Sequence, residues 1–222
     1  MQNDDLIADL LDGLRVQLPG ADDPLILYTL RDRVRELCRL GRVWMVERET
    51  PATANLGVLR TSTMTGFGEL AWLEAVTFNG QPLHYRDLGY VRDKPIAGKP
   101  AWYAFELPDR IYLNPIITQP ARGDFFSIHA ALQPRLGEDP LRALQNVPVH
   151  IFTRFTQALH EGVLGRLLAM PGKPWSNSAL AGVYLRSFQG SARMARVESS
   201  RAAGANQRPQ WRFPAPAARG RF

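Results

Sequence analysis

The chain reads as an α+β protein: an antiparallel helical bundle, a small antiparallel β domain inserted into it, and an extended C-terminal arm. Three observations lead there. Apolar residues recur at steps of three and four within residues 1–44 and again within 137–203, the spacing of a helix with one buried stripe. Residues 45–136 instead hold short apolar runs separated by turn dipeptides. From Gly204 to Phe222 neither period survives, which leaves an arm.

In chain order, Asn3-Asp4-Asp5 supplies capping and dipole-favourable residues for a first helix with Leu6, Leu10, Leu11 and Leu14 on its apolar face. Pro19-Gly20 ends it. Asp22-Asp23-Pro24 starts a second helix, with Pro near the first helical position. Its stripe is Leu27, Leu30, Val34, Leu37 and Cys38, opposite Arg31, Asp32, Arg35 and Arg39, and Gly41 closes it.

After Trp44 the texture changes. Turn signals stand at Asn79-Gly80, Lys94-Pro95, Ala97-Gly98, Asn114-Pro115 and Arg122-Gly123. Asn79-Gly80, between 73–78 and 82–85, is the strongest hairpin signal. Residues 103–107, 110–113 and 125–132 are further strand candidates. Glu138-Asp139-Pro140 restarts helix, and Pro148 begins a long one carrying Val149, Phe152, Phe155, Leu159, Val163, Leu167 and Leu168. Ala158, Gly162, Gly165 and Ala169 thin one side of it, which invites close approach by another helix. Ser176, Asn177 and Ser178 are all good N-cap types for a last helix with Ala181, Tyr184, Phe188, Ala192 and Ala195 on its stripe.

The charge is uneven. The chain carries +6, yet residues 186–222 hold eight Arg against the single acid Glu198, a net of +7, so the remainder is −1. All eight cations are Arg, whose planar, weakly hydrated fork suits carboxylates and phosphates at interfaces. Residues 205–222 contain three Pro, four Arg, Trp211, Phe213 and Phe222, with no acid. Such a segment cannot bury enough apolar surface alone to offset the entropy of ordering it, and its aromatics are wasted unless a partner covers them. Nucleic acid and an acidic protein groove are both open as that partner.

One cysteine, Cys38, excludes an intrachain disulfide and a cysteine metal cluster, and fits a reducing compartment. The acidic N-terminus lacks the basic start of a signal peptide, and no charge-free run exceeds the twelve residues 174–185, too few to span a bilayer. The expectation is a soluble intracellular product.

Catalytic signatures are not found. His84, His129, His150 and His160 have no metal-ligand spacing, and Gly66-Phe67-Gly68 lacks the Lys and Ser/Thr of a phosphate loop. Cys38 sits on an apolar stripe, and no serine stands in a nucleophile elbow. No catalytic, metal or cofactor-binding residue is therefore assigned, and no enzyme is expected.

Residues 18–24 (LPGADDP), leading into 30–38 (LRDRVRELC) and Trp44, resemble the opening of the head–tail adaptor (connector) proteins of tailed bacteriophages. Gly162-Val163-Leu164-Gly165-Arg166-Leu167, Pro171-Gly172-Lys173-Pro174-Trp175-Ser176-Asn177, Tyr184, Phe188 and Ala192-Arg193 resemble the closing helices of the same group. The matching stretches cover both helical parts, about half of the chain, and Pro-Gly-Lys-Pro-Trp is the most distinctive. Val34 and Leu37 stand where that pattern carries Ala and Phe. The resemblance implies a structural virion protein at the neck, made in the bacterial host's cytoplasm. Its copies would form a ring of about twelve under the portal. That ring would join portal to tail and pass DNA through its lumen without sequence-specific binding. It also implies portal contact by the last helix and the arm, here Arg193, Arg196, Arg208, Trp211, Arg212, Phe213, Arg219, Arg221 and Phe222. A competing expectation is a nucleic-acid-binding protein using the basic arm, but the body's charge of −1 offers phosphates little beyond it.

Overall fold

A computed structural model describes residues 3–61, 66, 68–93, 95–106 and 109–204. The fold is mixed α+β, with six helices and two four-stranded sheets among the described residues. Two helices come first, α1 (Asn3–Gln17) and α2 (Asp23–Gly41). Strands β1 (Met45–Pro51), β2 (Leu56–Arg60), β3 (Glu69–Phe78), β4 (Gln81–Pro82) and β5 (His84–Tyr85) follow. A short α3 (Leu88–Arg92) precedes β6 (Trp102–Glu106), β7 (Arg110–Ile117) and β8 (Phe125–Gln133). Helices α4 (Pro140–Gln145), α5 (Val149–Leu168) and α6 (Ser178–Gly204) complete the order.

One apolar core joins the helices. Leu10 and Leu14 of α1, Leu30, Val34 and Leu37 of α2, Phe152, Leu159 and Val163 of α5, and Phe188 and Ala192 of α6 are all buried in it, with Trp44 and Leu132 beneath. The helical stripes expected from the sequence are thus the faces that meet, except that Val149 at the start of α5 is exposed. A second core lies between the sheets, around Val76, Phe78, Ile111, Leu113, Phe126 and Ile128.

The sheets run in the orders β1-β8-β3-β4 and β2-β7-β6-β5. Asn79 and Gly80 make a two-residue hairpin turn between β3 and β4, both at positive φ (50° and 76°), as the Asn-Gly signal predicts. The strand expected over 82–85 is instead split at Leu83. Leu83 donates its N–H to Val76 O at 2.9 Å in one sheet, and His84 donates to Ala101 O at 2.9 Å in the other. Its half β5 then pairs with β6 in parallel, so the β region is not wholly antiparallel. Leu107 of the strand expected over 103–107 lies outside the described residues.

Asn114-Pro115 is also not a turn. It lies inside β7, where Asn114 is 1% exposed, accepts from Ile96 N at 3.3 Å and donates to Val91 O at 3.3 Å. Proline has no N–H for the ladder, and the neighbouring β2 pairing shifts register between Leu56 and Val58. Strand β1, with Glu47, Arg48 and Glu49, carries no apolar alternation to announce it. It forms at a sheet edge, held by backbone pairing to β8.

Three helical expectations need correction. Gly41 does not supply the left-handed residue that ends α2; Arg42 does (φ 50°, ψ 44°), donating its N–H to Cys38 O. The reason for glycine at 41 is packing, since a Cβ there would stand 3.1 Å from that of Ala195 on α6. Arg31 is not on a solvent face. It is 6% exposed, donates to Leu136 O at 3.1 Å and to Glu138 O at 3.4 Å, and lies over the Tyr28 ring. Ala169 is exposed and does not belong to the thin side of α5, whereas Ala158, Gly162 and Gly165 are buried.

Candidate interaction site

The segment entering α6 sets the position of everything on that helix. Asn177, of the three candidate N-cap residues, makes the cap: its Oδ1 accepts from Leu180 N at 3.0 Å. Ser176 Oγ accepts from Lys173 N at 3.0 Å and donates to Met170 O, closing the Pro-Gly-Lys-Pro-Trp turn on itself. Trp175 is 8% exposed with Lys173 over its ring, and a Cβ at Gly20 (φ 88°) would stand 3.8 Å from that ring. Leu18 of the 18–24 segment and Trp175 are buried in the same apolar core.

From there α6 packs along α5 and α2. Residues Gln189, Arg193 and Arg196 follow at intervals of four and three, which puts them on one side of the helix, beside the last turn of α2. With Glu36, Arg39 and Leu40 they line a groove of about 410 Å³. Glu36 is already paired with Arg33 at 2.5 Å. Arg39 and Arg193 have no ion-pair partner among the described residues. Burial pushes the Arg196 guanidinium below its ordinary value, repulsion from Arg42 adds to this, and Glu74 partly opposes it. Arg42 is committed elsewhere, to Glu74 and to the face of Trp72 at 4.0 Å. The groove is thus a net positive surface, with three Arg against the single acid Glu36, which Arg33 already engages.

A larger recess of about 630 Å³ lies between β1, α5 and the end of α6. Its polar groups contact one another: His129 Nε2 lies 3.1 Å from Glu47 Oε1, and Arg154 pairs with Glu198 at 2.6 Å. His150 Nε2 sits 3.2 Å from Val43 O. No set of three or more His, Cys, Asp or Glu among the described residues is arranged to hold a metal ion. Cys38 is fully buried, and burial raises its thiol well above the ordinary range, so no thiolate forms near neutral pH. Among the described residues, no helix is long and apolar enough to cross a membrane.

Two of the residues expected at the interface, Arg193 and Arg196, are thus brought together with Arg39. Arg208, Trp211, Arg212, Phe213, Arg219, Arg221 and Phe222 lie outside the described residues. Sequence reasoning missed Arg39 and Leu40 as site residues because it placed Arg39 on the solvent side of an isolated helix. Its distance in sequence from Arg193 conceals a meeting that only the packing of α2 on α6 creates. No family model matches the chain, and no curated protein matches it.

Proposed function

We propose that this chain is a head–tail adaptor of a tailed bacteriophage, a ring-forming structural protein that joins the portal to the tail and continues the DNA channel. In this reading residues 1–44 and 137–203 are a helical bundle, 45–136 a β domain inserted into it, and 204–222 the arm. The observation that carries the reading is the groove of Arg39, Arg193 and Arg196, whose one lining acid, Glu36, is already engaged by Arg33. It lies on the helix that leads directly into the arginine- and aromatic-rich segment 205–222. Groove and arm together offer an acidic protein surface several guanidinium contacts and three aromatic anchors, Trp211, Phe213 and Phe222. About twelve copies would each contribute weak contacts that become strong collectively, because each later arm binds at a high effective concentration. The burial of Leu18 and Trp175 in one core adds support, since it joins the two stretches on which the resemblance rests.

The same groove also supports a second reading, in which it and the arm grip nucleic-acid phosphates. The body's charge of −1 argues against it. Mass photometry of the protein alone and mixed with portal rings separates the two. Binding in a fixed multiple near the portal's own symmetry, lost on deleting 205–222, is the expected result. Failure to bind portal, with tight salt-dependent binding to duplex DNA, would overturn the adaptor reading in favour of the second.

A further inference from the structure

Strand β1 leaves one edge of its sheet open, since it pairs among the described residues with β8 alone. Two bonds fix which of its backbone groups face outward. Leu132 donates its N–H to Trp44 O at 2.8 Å, and Ala52 donates to Asp124 O at 2.9 Å. Bonded pairs alternate along an antiparallel ladder, so Trp44, Val46, Arg48 and Thr50 turn their backbone toward β8. Met45, Glu47 and Glu49 therefore present their N–H and C=O groups to the open side, and all three residues are exposed. Pro51, next in that series, has no N–H and ends the usable edge. The edge opens into the recess of about 630 Å³, which Met45, Val46 and Glu47 all line although their side chains alternate between faces.

A second copy's β1 does not fit this edge. Antiparallel pairing about Glu47 would set Glu47 against Glu47 and Val46 against Arg48. The arm fits it in charge and in backbone. Glu47 and Glu49 stand on one side of β1, and residues 205–222 carry four Arg and no acid. Place Glu49 opposite Arg208, Glu47 opposite Gln210 and Met45 opposite Arg212. Each arm residue that must donate to the edge then has an N–H, and Pro209 falls where none is needed. The same register sets Arg208 beside Glu49, Arg212 diagonal to Glu47, and Trp211 opposite half-buried Val46. Pro214 then ends the pairing.

We infer that residues 208–212 of one copy add as an antiparallel strand to the β1 edge of the next copy. The arm of the same chain falls short. Ser199 Oγ bonds Gly41 O at 3.1 Å and Arg42 O at 3.0 Å, so the end of α6 lies beside the start of β1. An antiparallel strand must enter at the far end, opposite Glu49. Even directed along β1, residues 199–204 advance only about 7 Å, to the level of Trp44. The four steps from Gly204 to Arg208 then cover at most about 14 Å, against about 16 Å of strand from Trp44 to Glu49. Each copy thus gives one strand and accepts one, a heterologous contact that closes a ring or continues as a filament. The contact goes beyond the adaptor reading, in which the portal competes for the same arm.

The test uses the full chain. Met45→Cys and Arg212→Cys proteins, oxidised with copper phenanthroline, should form a disulfide-linked pair when mixed and none when separate. Cys38 is sealed in the core and stays out of the reaction. The double variant should give linked dimers and larger species; a monomer closed by its own disulfide would overturn the proposal. Efficient linkage of Met45→Cys with Arg208→Cys would mean a parallel strand and overturn it as well. In the unaltered protein, hydrogen exchange at the amides of Glu47 and Glu49 should slow as concentration rises, and deleting 205–222 should abolish the effect. Glu49→Lys and Arg208→Glu should each weaken association about tenfold, and mixing the two should recover it. Edge amides that exchange alike at every concentration, or association that survives the deletion, would overturn the proposal. Failure to bind portal rings with the mixed disulfide still forming would instead sink the adaptor reading and leave this contact standing.

Discussion

Gly162 on α5 lies directly beneath the ring of Phe188 on α6, so close that a Cβ at Gly162 would stand 2.8 Å from a ring carbon. Three residues on, a Cβ at Gly165 would stand 2.8 Å from Leu185 Cγ and 2.9 Å from its backbone N. Two missing side chains set the spacing of the helix pair, and through it the position of every arginine on α6.

Gly162→Leu should destabilise the protein by roughly 1–3 kcal/mol, because the ring must leave its place or the helices must part. Thermal melts check this, and a melting temperature equal to that of the parent would show that the pair adjusts freely. The groove should widen as well, so binding through Arg39, Arg193 and Arg196 should weaken in parallel.

Arg31 ties α2 to the segment between β8 and α4 through the carbonyls of Leu136 and Glu138. Arg31→Met keeps the apolar stem and removes the donors. A destabilisation of about 1–3 kcal/mol is expected from the carbonyls left without them. Hydrogen exchange should quicken in residues 134–145 before the rest of the chain responds. Uniform exchange across the protein would contradict the tie.

The pair Arg15–Asp23 spans the loop between α1 and α2, with Nε to Oδ1 at 2.9 Å. Its hydrogen bond with Arg15 holds the Asp23 carboxyl below the usual carboxylate value, and the charge of Arg15 adds to this. A carboxyl depressed in the fold stabilises it above its unfolded pKa, and that contribution fades as pH falls through the folded value. Asp23→Asn should flatten the acid side of the stability profile, by a small amount because the pair is exposed. Carbon-detected NMR titration of Asp23 in Arg15→Ala should show its pKa returning upward; an unmoved value would remove the pair from the argument.

Cys38 is sealed in the helical core. A thiol reagent should label the native protein only at the rate of global unfolding and label denatured protein at once. Fast labelling of the native state would mean that the core opens locally.

The sequence by itself determined the elements that depend on near neighbours. Helical stripes such as Leu30, Val34, Leu37 and Phe188, Ala192, Ala195 are buried where their periods place them, because spacing of three and four needs only a partner face. Asn79-Gly80 made its hairpin because both residues tolerate positive φ. The concentration of Arg in the last stretch of chain was also visible without a structure.

The tertiary structure decided what depends on distant neighbours. Edge strand β1 has no apolar alternation and exists through its pairing with β8. Arg31 can occupy a nearly buried position because carbonyls more than 100 residues away receive its donors. Asn114-Pro115, a turn signal in isolation, stays in a strand because neighbouring segments satisfy the asparagine side chain. The candidate groove belongs to this second class. Arg39 and Arg193 become one site only because α2 packs on α6, and no local pattern encodes a meeting across 154 residues.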